Sequence, residues 1–313
     1  MAEETGISWA DATFNPWIGC TRISPACDGC YAAALMGMEG RHKRAEWGEP
    51  GKGAGTRTRT GVKNWNLPIR WDRKAEREGT RPFVFCASLA DVFDVEVEAD
   101  WRGELFDLIR QTPHLVWLLL TKRPQMIGRL WFKAAATGGW PANAAIGTTV
   151  EDRKRLVNLT HLQEADRFIR QHSETGPAFL FASFEPLLED LGDLTPWFTG
   201  PGRIDWAITG GETSQGGHKA RPQHPAWFRS IRDQAVAAGV AYQHKQNGEW
   251  VQTQSNEGTW PVDAPGHIRM NPDGSRSAEG WPMQRVGKDH AGRLLDGRTW
   301  DERPEPNALQ VAS

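Results

Sequence analysis

Short apolar segments alternate with amphipathic segments along most of the chain, and this alternation limits the possible folds more than any other feature. The apolar segments predict strands at 13–19, 82–88, 115–121, 144–150, 178–184, 204–209 and 240–244. Three- and four-residue apolar spacing predicts helices at 101–111, 123–135, 151–163 and 225–238. Strands that alternate with helices form parallel βαβ units, and strands buried on both faces are almost continuously apolar. The sequence therefore predicts an α/β fold, a partial parallel (β/α)6-type barrel.

The length and local composition predict one main domain with a C-terminal cap. A chain of 313 residues is normal for a single α/β barrel. We assign the barrel to residues 1–250, with a mobile loop at about 40–66 that is rich in Gly, Lys, Arg and Thr. Residues 251–313 are dense in Gly, Pro, Asp and Arg, and we expect an irregular cap there that contains Trp260, Trp281 and Trp300.

The bulk composition excludes several classes of protein. Apolar residues make up 39% of the chain, which is enough for a large core, and the net charge of −2 gives no bulk attraction to nucleic acid. The longest apolar runs, such as Leu115–Leu120, are too short to cross a bilayer. The N-terminus begins MAEETG, without the basic and apolar regions of a secretory signal. We expect a cytoplasmic protein that does not contact a membrane.

Three of the four cysteines lie within eleven residues, in the motif Cys20-x6-Cys27-x2-Cys30. In a reducing compartment, clustered cysteines are more often metal ligands or catalytic groups than disulfides. Three thiolates on a [4Fe–4S] cluster leave one iron without a protein ligand, and radical enzymes use that iron to bind S-adenosylmethionine. The cysteines follow the first predicted strand and precede the first helix, which places them at the mouth of a barrel.

Two other interpretations of the cysteines stay open. A structural zinc site needs four protein ligands. Cys86 lies in a predicted strand, where it fits a small core side chain, and His42 lies in a polar loop without a second ligand at fixed spacing. The cysteines could also be free thiols.

A long series of motifs resembles a phage and prophage family with a three-cysteine motif. The series begins with WADATFNPWIGCTRISPACDGCYA at 9–32 and continues with SLADVFD (88–94), LLLTKRP (118–124), IGTTVED (146–152), SFEPLLEDLG (183–192), DWAITGGETSQGG (205–217) and HKQNGEW (244–250). The family looks like radical S-adenosylmethionine enzymes and is distantly similar to the spore photoproduct lyase group, which acts on DNA. The usual first cysteine gap of three residues is six here.

The resemblance implies a radical S-adenosylmethionine barrel whose reduced cluster generates a 5′-deoxyadenosyl radical. It further implies a nucleic acid or nucleotide substrate in phage biology, a host-cytoplasm location, and a reductase or flavodoxin-type electron donor.

Polar residues at the ends of the predicted strands are the other candidate site residues. We expect Ser88, Asp91, Lys122, Glu151, Gly210 and Gly211 to contact the cofactor, and Glu185, Glu212, Arg221 and Lys245 to face the substrate and take part in catalysis. By similarity to the lyase group, Lys122 would pair with the carboxylate of S-adenosylmethionine. Alternatively, Lys122 is a solvated lysine at a helix start, Glu151 is a first-turn acid favoured by the helix dipole, and Gly210–Gly211 is a tight turn.

The tryptophans and the basic loop allow a different class of function. The chain has 16 Trp and 2 Tyr, and indole rings either stack on bases or pack in a core. The loop basic residues are Arg41, Lys43, Arg44, Lys52, Arg57, Arg59 and Lys63. The alternative function is therefore a nucleic-acid-binding protein with a structural iron–sulfur or zinc site.

Overall fold

The computed structural model describes residues 5–37, 45–134, 138–253 and 263–305. His42, Arg41, Lys43, Arg44, Trp260 and residues 306–313 lie outside the described residues. The strands are β1 Ala12–Thr13, β2 Trp17–Ile18, β3 Trp47–Glu49, β4 Gly53–Gly55, β5 Thr58–Arg59, β6 Phe83–Cys86, β7 Val116–Thr121, β8 Ala144–Thr149, β9 Leu180–Phe184, β10 Trp206–Gly210, β11 Ala241–Gln246, β12 Trp250–Gln252, β13 Asp263–Ala264, β14 His267–Met270 and β15 Trp281–Arg285. The α-helices are α1 Tyr31–Gly37, α2 Val62–Trp65, α3 Leu67–Glu78, α4 Ala99–Arg110, α5 Ile127–Ala134, α6 Val157–His172, α7 Thr195–Phe198, α8 Pro225–Ala237 and α9 Lys288–Ala291.

A curled parallel sheet forms the centre of the fold. Its seven strands lie in the order β1-β6-β7-β8-β9-β10-β11, and each pairs in parallel with its neighbours. The middle strands are buried on both faces, as the apolar pattern predicts; every residue of β8 and β9 is buried. This confirms the predicted partial α/β barrel. All seven carboxyl ends lie at one edge, where the polar residues that follow the strands meet.

Aromatic side chains fill the core on both faces of the sheet. Trp117 and Trp140 pack between the sheet and the helices. Trp9 and Trp206 pack on the inner face, where the Trp9 and Phe85 ring centroids are 4.5 Å apart. Burial of one large apolar side chain contributes about 1.5–3 kcal/mol. Most of the tryptophans that the structure describes are buried, so core packing rather than base stacking explains the tryptophan-rich composition.

The described part of the predicted mobile loop contains regular structure. Strands β3 and β4 form an antiparallel hairpin, β5 pairs with β2, and α2 follows. Arg57 forms a buried ion pair with Asp94, with 2.6 Å between Nη2 and Oδ2. Arg59 pairs with Glu104, and its guanidinium lies 4.3 Å from the Trp65 ring centroid. Both guanidinium groups are therefore paired with carboxylates of the fold.

Helix α3 was not predicted. Its buried residues Trp71 and Ala75 are four apart, Pro68 occupies its first turn, and Gly79 ends it with φ +63°. These are ordinary helix start and stop signals. Seven of the twelve residues of the helix are charged, and six of these are exposed, which obscured the apolar spacing.

The C-terminal segment is more regular than predicted. Strands β12 to β15 form a small antiparallel sheet in the order β12-β15-β14-β13, and α9 follows. A tight turn at Pro265–Gly266 joins β13 to β14, with Gly266 at φ +80°. The Gly- and Pro-rich composition that suggested an irregular cap thus marks hairpin turns. Among the described residues, no helix is long and apolar enough to cross a membrane.

Candidate active site at the carboxyl ends of the strands

A cavity of about 750 Å³ opens at the carboxyl edge of the parallel sheet. Most of the predicted site residues line it, namely Cys20, Cys27, Cys30, Ser88, Asp91, Lys122, Glu185, Gly211, Glu212 and Lys245. Glu151, Gly210 and Arg221 are not among its lining residues. The parallel topology brings these side chains together, because every strand delivers its following residue to the same edge.

The cysteine loop runs from β2 to α1 and brings all three thiols to the cavity. Gly19 starts the loop at φ +112°, and a Cβ there would lie 2.2 Å from the Thr56 carbonyl oxygen, so only glycine fits. Cys27 ends a short 3₁₀ helix, Pro25–Cys27, and Cys30 directly precedes α1. Cys27 is buried, and Cys20 and Cys30 are partly exposed at the cavity.

The Cys20 sulfur contacts a cation as well as neutral groups, because Arg123 Nη1 lies 3.6 Å from it. The Cys20 Sγ lies 3.5 Å from the Thr21 carbonyl oxygen, and the Cys27 Sγ lies 3.7 Å from the Ser24 hydroxyl. Burial and then the Asp91 charge raise the pKa of Cys20 to about 12. Three thiols that face one cavity suit a soft metal group that binds them as thiolates.

The described residues do not support a zinc site. Cys86 is fully buried in β6 and does not line the cavity, so it acts as a core side chain. Among the residues that the structure describes, no group of three or more His, Cys, Asp or Glu is arranged to hold a single metal ion. Ligands of one zinc ion must converge within about 2.3 Å of it. The same finding applies to any metal group, so only the donor type, three thiols on one cavity, favours a soft metal.

Asp91 supports the site. Its Oδ1 accepts hydrogen bonds from the Thr121 hydroxyl at 2.7 Å and the Phe93 N–H at 2.9 Å. Its Oδ2 accepts from Arg123 Nη1 at 2.9 Å and, more weakly, from the Lys122 N–H at 3.3 Å. We predicted that Asp91 contacts the cofactor. Its carboxylate also lines the cavity and accepts four hydrogen bonds from the protein, one of them from Arg123, and the predicted cofactor contact stays a prediction.

Ser88 lies at the cavity wall, held by two residues that the sequence analysis did not single out as site residues. Its hydroxyl accepts from Asn15 Nδ2 at 3.0 Å, and its carbonyl accepts from the Tyr31 hydroxyl at 2.6 Å. The Tyr31 ring lines the cavity and remains 43% exposed. Tyr31 directly follows Cys30, and this adjacency was the available signal for its position.

Lys122 and Glu151 provide opposite charges beside the thiols. Burial lowers the pKa of Lys122, but the charges of Cys27, Cys30, Glu151 and Cys20 outweigh that effect and raise it above its usual value. Glu151 is 1% exposed, and neither carboxylate oxygen accepts a hydrogen bond within the described structure. The nearest cation is Arg155, whose Nε lies 3.8 Å from Oε1. An unsatisfied buried carboxylate costs stability, so Glu151 has the character of a group awaiting a ligand.

Glu185 and Lys245 form an ion pair on the far wall of the cavity. The Lys245 Nζ lies 2.6 Å from the Glu185 Oε1, which also accepts from Gln246 Nε2 at 3.2 Å. Both side chains line the cavity and remain partly exposed. They present a hydrogen-bond donor and an acceptor at fixed positions to a ligand in the cavity.

The two glycines make room for protein atoms. A Cβ at Gly210 would lie 2.9 Å from the Glu185 carboxyl carbon. A Cβ at Gly211 would lie 2.4 Å from the Asn247 carbonyl oxygen. We predicted that these glycines let the backbone approach the cofactor. The structure shows that their lack of a side chain makes room for Glu185 and for the turn after β11, and the cofactor contact stays a prediction.

Glu212 and Arg221 hold the cysteine loop. Arg221 donates to Glu212 Oε2 from its N–H and Nε, both at 2.8 Å, and to the Pro25 carbonyl oxygen from Nη2 at 3.0 Å. Its Nη1 lies 3.6 Å from Asp28 Oδ2. Burial raises the pKa of Glu212, but the hydrogen bonds from Arg221 lower it more. Glu212 lines the cavity, and Arg221 pairs with it and holds the loop; that both residues face a substrate stays a prediction.

The matched family and the similar structures leave the reaction open. Residues 4–304 match the family described as "Protein of unknown function (DUF5131)", so the chain belongs to that family. No curated protein matches the chain. Three structures of spore photoproduct lyase mutants resemble the fold with TM-scores of 0.41. Two share 10% identity over 80% of this chain and 67% of theirs, and the third shares 9% over 90% and 70%. This distant similarity specifies neither a substrate nor a reaction.

Proposed function

We propose that this protein is a radical S-adenosylmethionine enzyme that binds a [4Fe–4S] cluster through Cys20, Cys27 and Cys30. The observation that carries the proposal is the convergence of these three thiols on one cavity, without a fourth cysteine lining it among the described residues. Three thiolates leave one iron open to a small molecule. When bound, the reduced cluster supplies the electron that cleaves S-adenosylmethionine into methionine and a 5′-deoxyadenosyl radical.

The charges beside the cysteines suit the amino acid end of S-adenosylmethionine. Lys122 provides a cation for its carboxylate, and the unsatisfied Glu151 provides an acceptor for its ammonium group or ribose hydroxyls. Ser88, at the wall, provides a hydroxyl. These assignments follow the sequence-based prediction for the three residues, and Asp91 acts indirectly through Arg123.

The opposite wall supports a nucleic acid or nucleotide as substrate. The Glu185–Lys245 pair offers a hydrogen-bond acceptor and donor, which match the edge of a base. The exposed ring of Tyr31 offers a surface on which a base can stack. Because the basic side chains of residues 57 and 59 are paired, the cavity itself is the better candidate for substrate recognition. A reductase or flavodoxin-type protein would supply the electron.

Electron paramagnetic resonance tests the proposal. The protein is reconstituted anaerobically with iron and sulfide, reduced with dithionite, and measured with and without S-adenosylmethionine. We expect the signal of a reduced four-iron cluster, and we expect S-adenosylmethionine to change it because it binds the open iron. A cluster indifferent to S-adenosylmethionine would contradict the proposal. Formation of 5′-deoxyadenosine with DNA, RNA or free nucleotides then tests the substrate class.

A further inference from the structure

A buried arginine, Arg123, contacts one of the three cysteines. Arg123 follows β7, and its side chain is 8% exposed. Its Nη1 lies 3.6 Å from the Cys20 Sγ, and its Nη2 donates to the Thr21 carbonyl oxygen at 2.7 Å. The guanidinium therefore contacts both the sulfur of Cys20 and the backbone of the next residue, Thr21.

Carboxylates fix the guanidinium in this position. Asp91 Oδ2 accepts from Arg123 Nη1 at 2.9 Å, and Asp94 Oδ2 lies 3.9 Å from Nη2. Asp94 is itself held by Arg57, whose Nη2 also donates to the Thr21 hydroxyl at 2.8 Å. The segment that carries both acids is pinned by Arg102, which donates to the Val92 and Asp94 carbonyl oxygens. A guanidinium with so many fixed partners cannot turn away from the sulfur.

We propose that Arg123 sets the reduction potential of the cluster by donating a charged hydrogen bond to the Cys20 sulfur, and that Asp91 moderates this effect. The inference rests on the proposed function. One-electron reduction adds one negative charge to the cluster. A cation and a hydrogen bond at a ligand sulfur stabilise the reduced form, whereas a nearby carboxylate destabilises it.

The cysteine sulfurs have different contacts, so the effect of Arg123 on Cys20 can be measured separately from charges that act on all three cysteines. Within the described residues, Cys20 is the cysteine whose sulfur contacts a guanidinium; the Cys27 sulfur contacts the neutral Ser24 hydroxyl. Lys122 lies among all three cysteines and adds a charge common to them. A purely structural role for the Arg123–Asp91 pair predicts that removing either partner disturbs the site in the same way. The electrostatic role predicts opposite shifts.

The test is a redox titration of the reconstituted protein, followed by electron paramagnetic resonance, with iron and sulfide content measured for every variant. At a fixed ambient potential, we expect Arg123→Gln to lower the ratio of reduced to oxidised cluster at least tenfold, which is about 59 mV for a one-electron couple. Asp91→Asn, which keeps an oxygen for Thr121 and Phe93, should raise the ratio several-fold. Arg123→Lys should fall between Arg123→Gln and the wild type.

The matched control is Arg153→Gln, which removes an exposed arginine that pairs with Asp190 and does not line the cavity. Its cluster should keep the wild-type ratio of reduced to oxidised cluster.

Equal ratios in Arg123→Gln, Asp91→Asn and the wild type, or shifts of the same sign in both variants, would overturn the inference and leave the proposed function intact. If Arg123→Gln does not retain the cluster, Asp91→Asn decides: a raised ratio supports the inference, and an unchanged or lowered ratio overturns it. A wild-type protein that binds no cluster overturns the proposed function and this inference together.

Discussion

Two cavities of similar size lie at opposite ends of the same parallel sheet. The upper cavity, of about 750 Å³, is at the carboxyl ends of the strands and holds the three cysteines. The lower cavity, of about 680 Å³, is at the amino ends, between residues 178–180, Asp205 and residues 239–241. Both contain buried acids and basic side chains. The size and the charge composition of the two cavities therefore do not show which of them is the functional site.

The two cavities differ in whether their buried charges have partners. In the lower cavity, Asp166 pairs with Arg170 at 2.8 Å, and Asp205 accepts from the Leu180 N–H at 3.0 Å. Beside the upper cavity, Glu151 accepts no hydrogen bond within the described structure. Buried polar groups in proteins are normally satisfied. The upper cavity is thus the one whose chemistry needs a ligand.

The largest expected effect separates the cavity cysteines from the core cysteine. Cys27→Ala should abolish cluster binding, because two thiolates do not hold a four-iron cluster in place. Cys86→Ala should retain the cluster and lose about 1 kcal/mol of stability, since it removes a buried sulfur from β6. Iron content and visible absorption after reconstitution measure both. Loss of the cluster in Cys86→Ala would make Cys86 a ligand and would close the proposed open iron.

A second pair of variants compares Glu151, whose carboxylate accepts no hydrogen bond in the described structure, with the Arg170–Asp166 ion pair. Glu151→Gln should weaken binding of S-adenosylmethionine at least tenfold while the free energy of unfolding is kept or raised, because the carboxylate accepts no hydrogen bond in the described structure. Arg170→Gln should leave that affinity unchanged and lower the free energy of unfolding by about 1 kcal/mol, because Asp166 loses its partner.

Calorimetric titration of the reconstituted protein and urea unfolding supply the two measurements. If Glu151→Gln destabilised the fold and left the affinity for S-adenosylmethionine unchanged, Glu151 would be a structural residue, and the contrast between the cavities would fail.

The smallest expected effect is a difference in pH dependence. The pKa of Glu212 is below its ordinary value of 4.5, so its pairing with Arg221 stabilises the fold above that pH and is lost as the pH falls through the folded-state pKa. Glu212→Gln should therefore cost about 2 kcal/mol at neutral pH and progressively less in acid. Burial raises the pKa of Asp205 above 3.8, so the wild type loses stability as the pH rises through the folded-state pKa.

Asp205→Asn should remove that loss, and its stability relative to the wild type should therefore increase with pH. Urea unfolding between pH 3 and 7 measures both variants against the wild type. The free energy of unfolding of each variant, relative to the wild type, is plotted against pH. Slopes of the same sign for the two variants would show that Glu212 and Asp205 do not titrate in opposite directions as described.

The central strands, such as β8 and β9, were predictable because they are buried on both faces. Such burial requires a nearly continuous run of apolar residues, which can be recognised in the sequence. The small C-terminal sheet and the β3–β4 hairpin were missed because their strands are only two to five residues long, and only pairing with a partner strand gives them order. Helix α3 was missed because its apolar face is narrow.

The candidate site was partly predictable for a similar reason. Strand-end positions follow from the alternation of strands and helices, so the positions of Ser88, Lys122, Glu185 and Lys245 at the cavity were correctly expected. Their partners are distant in sequence: Glu185 and Lys245 are 60 residues apart, and Arg123 and Cys20 are 103 apart. Such pairs are set by strand order and register, which a single sequence does not display.

The sequence by itself determined the parallel α/β architecture, the three clustered thiols and the edge at which polar residues gather, because each depends on local periodicity or spacing. Only the tertiary structure decided which of those polar groups are free. It assigned Asp91 to Arg123 and Glu212 to Arg221, and it left Glu151 without a hydrogen-bond partner among the described residues. The physical reason is that a buried charge is defined by its neighbours in space, whose distances and hydrogen bonds fix whether it supports the fold or waits for a ligand.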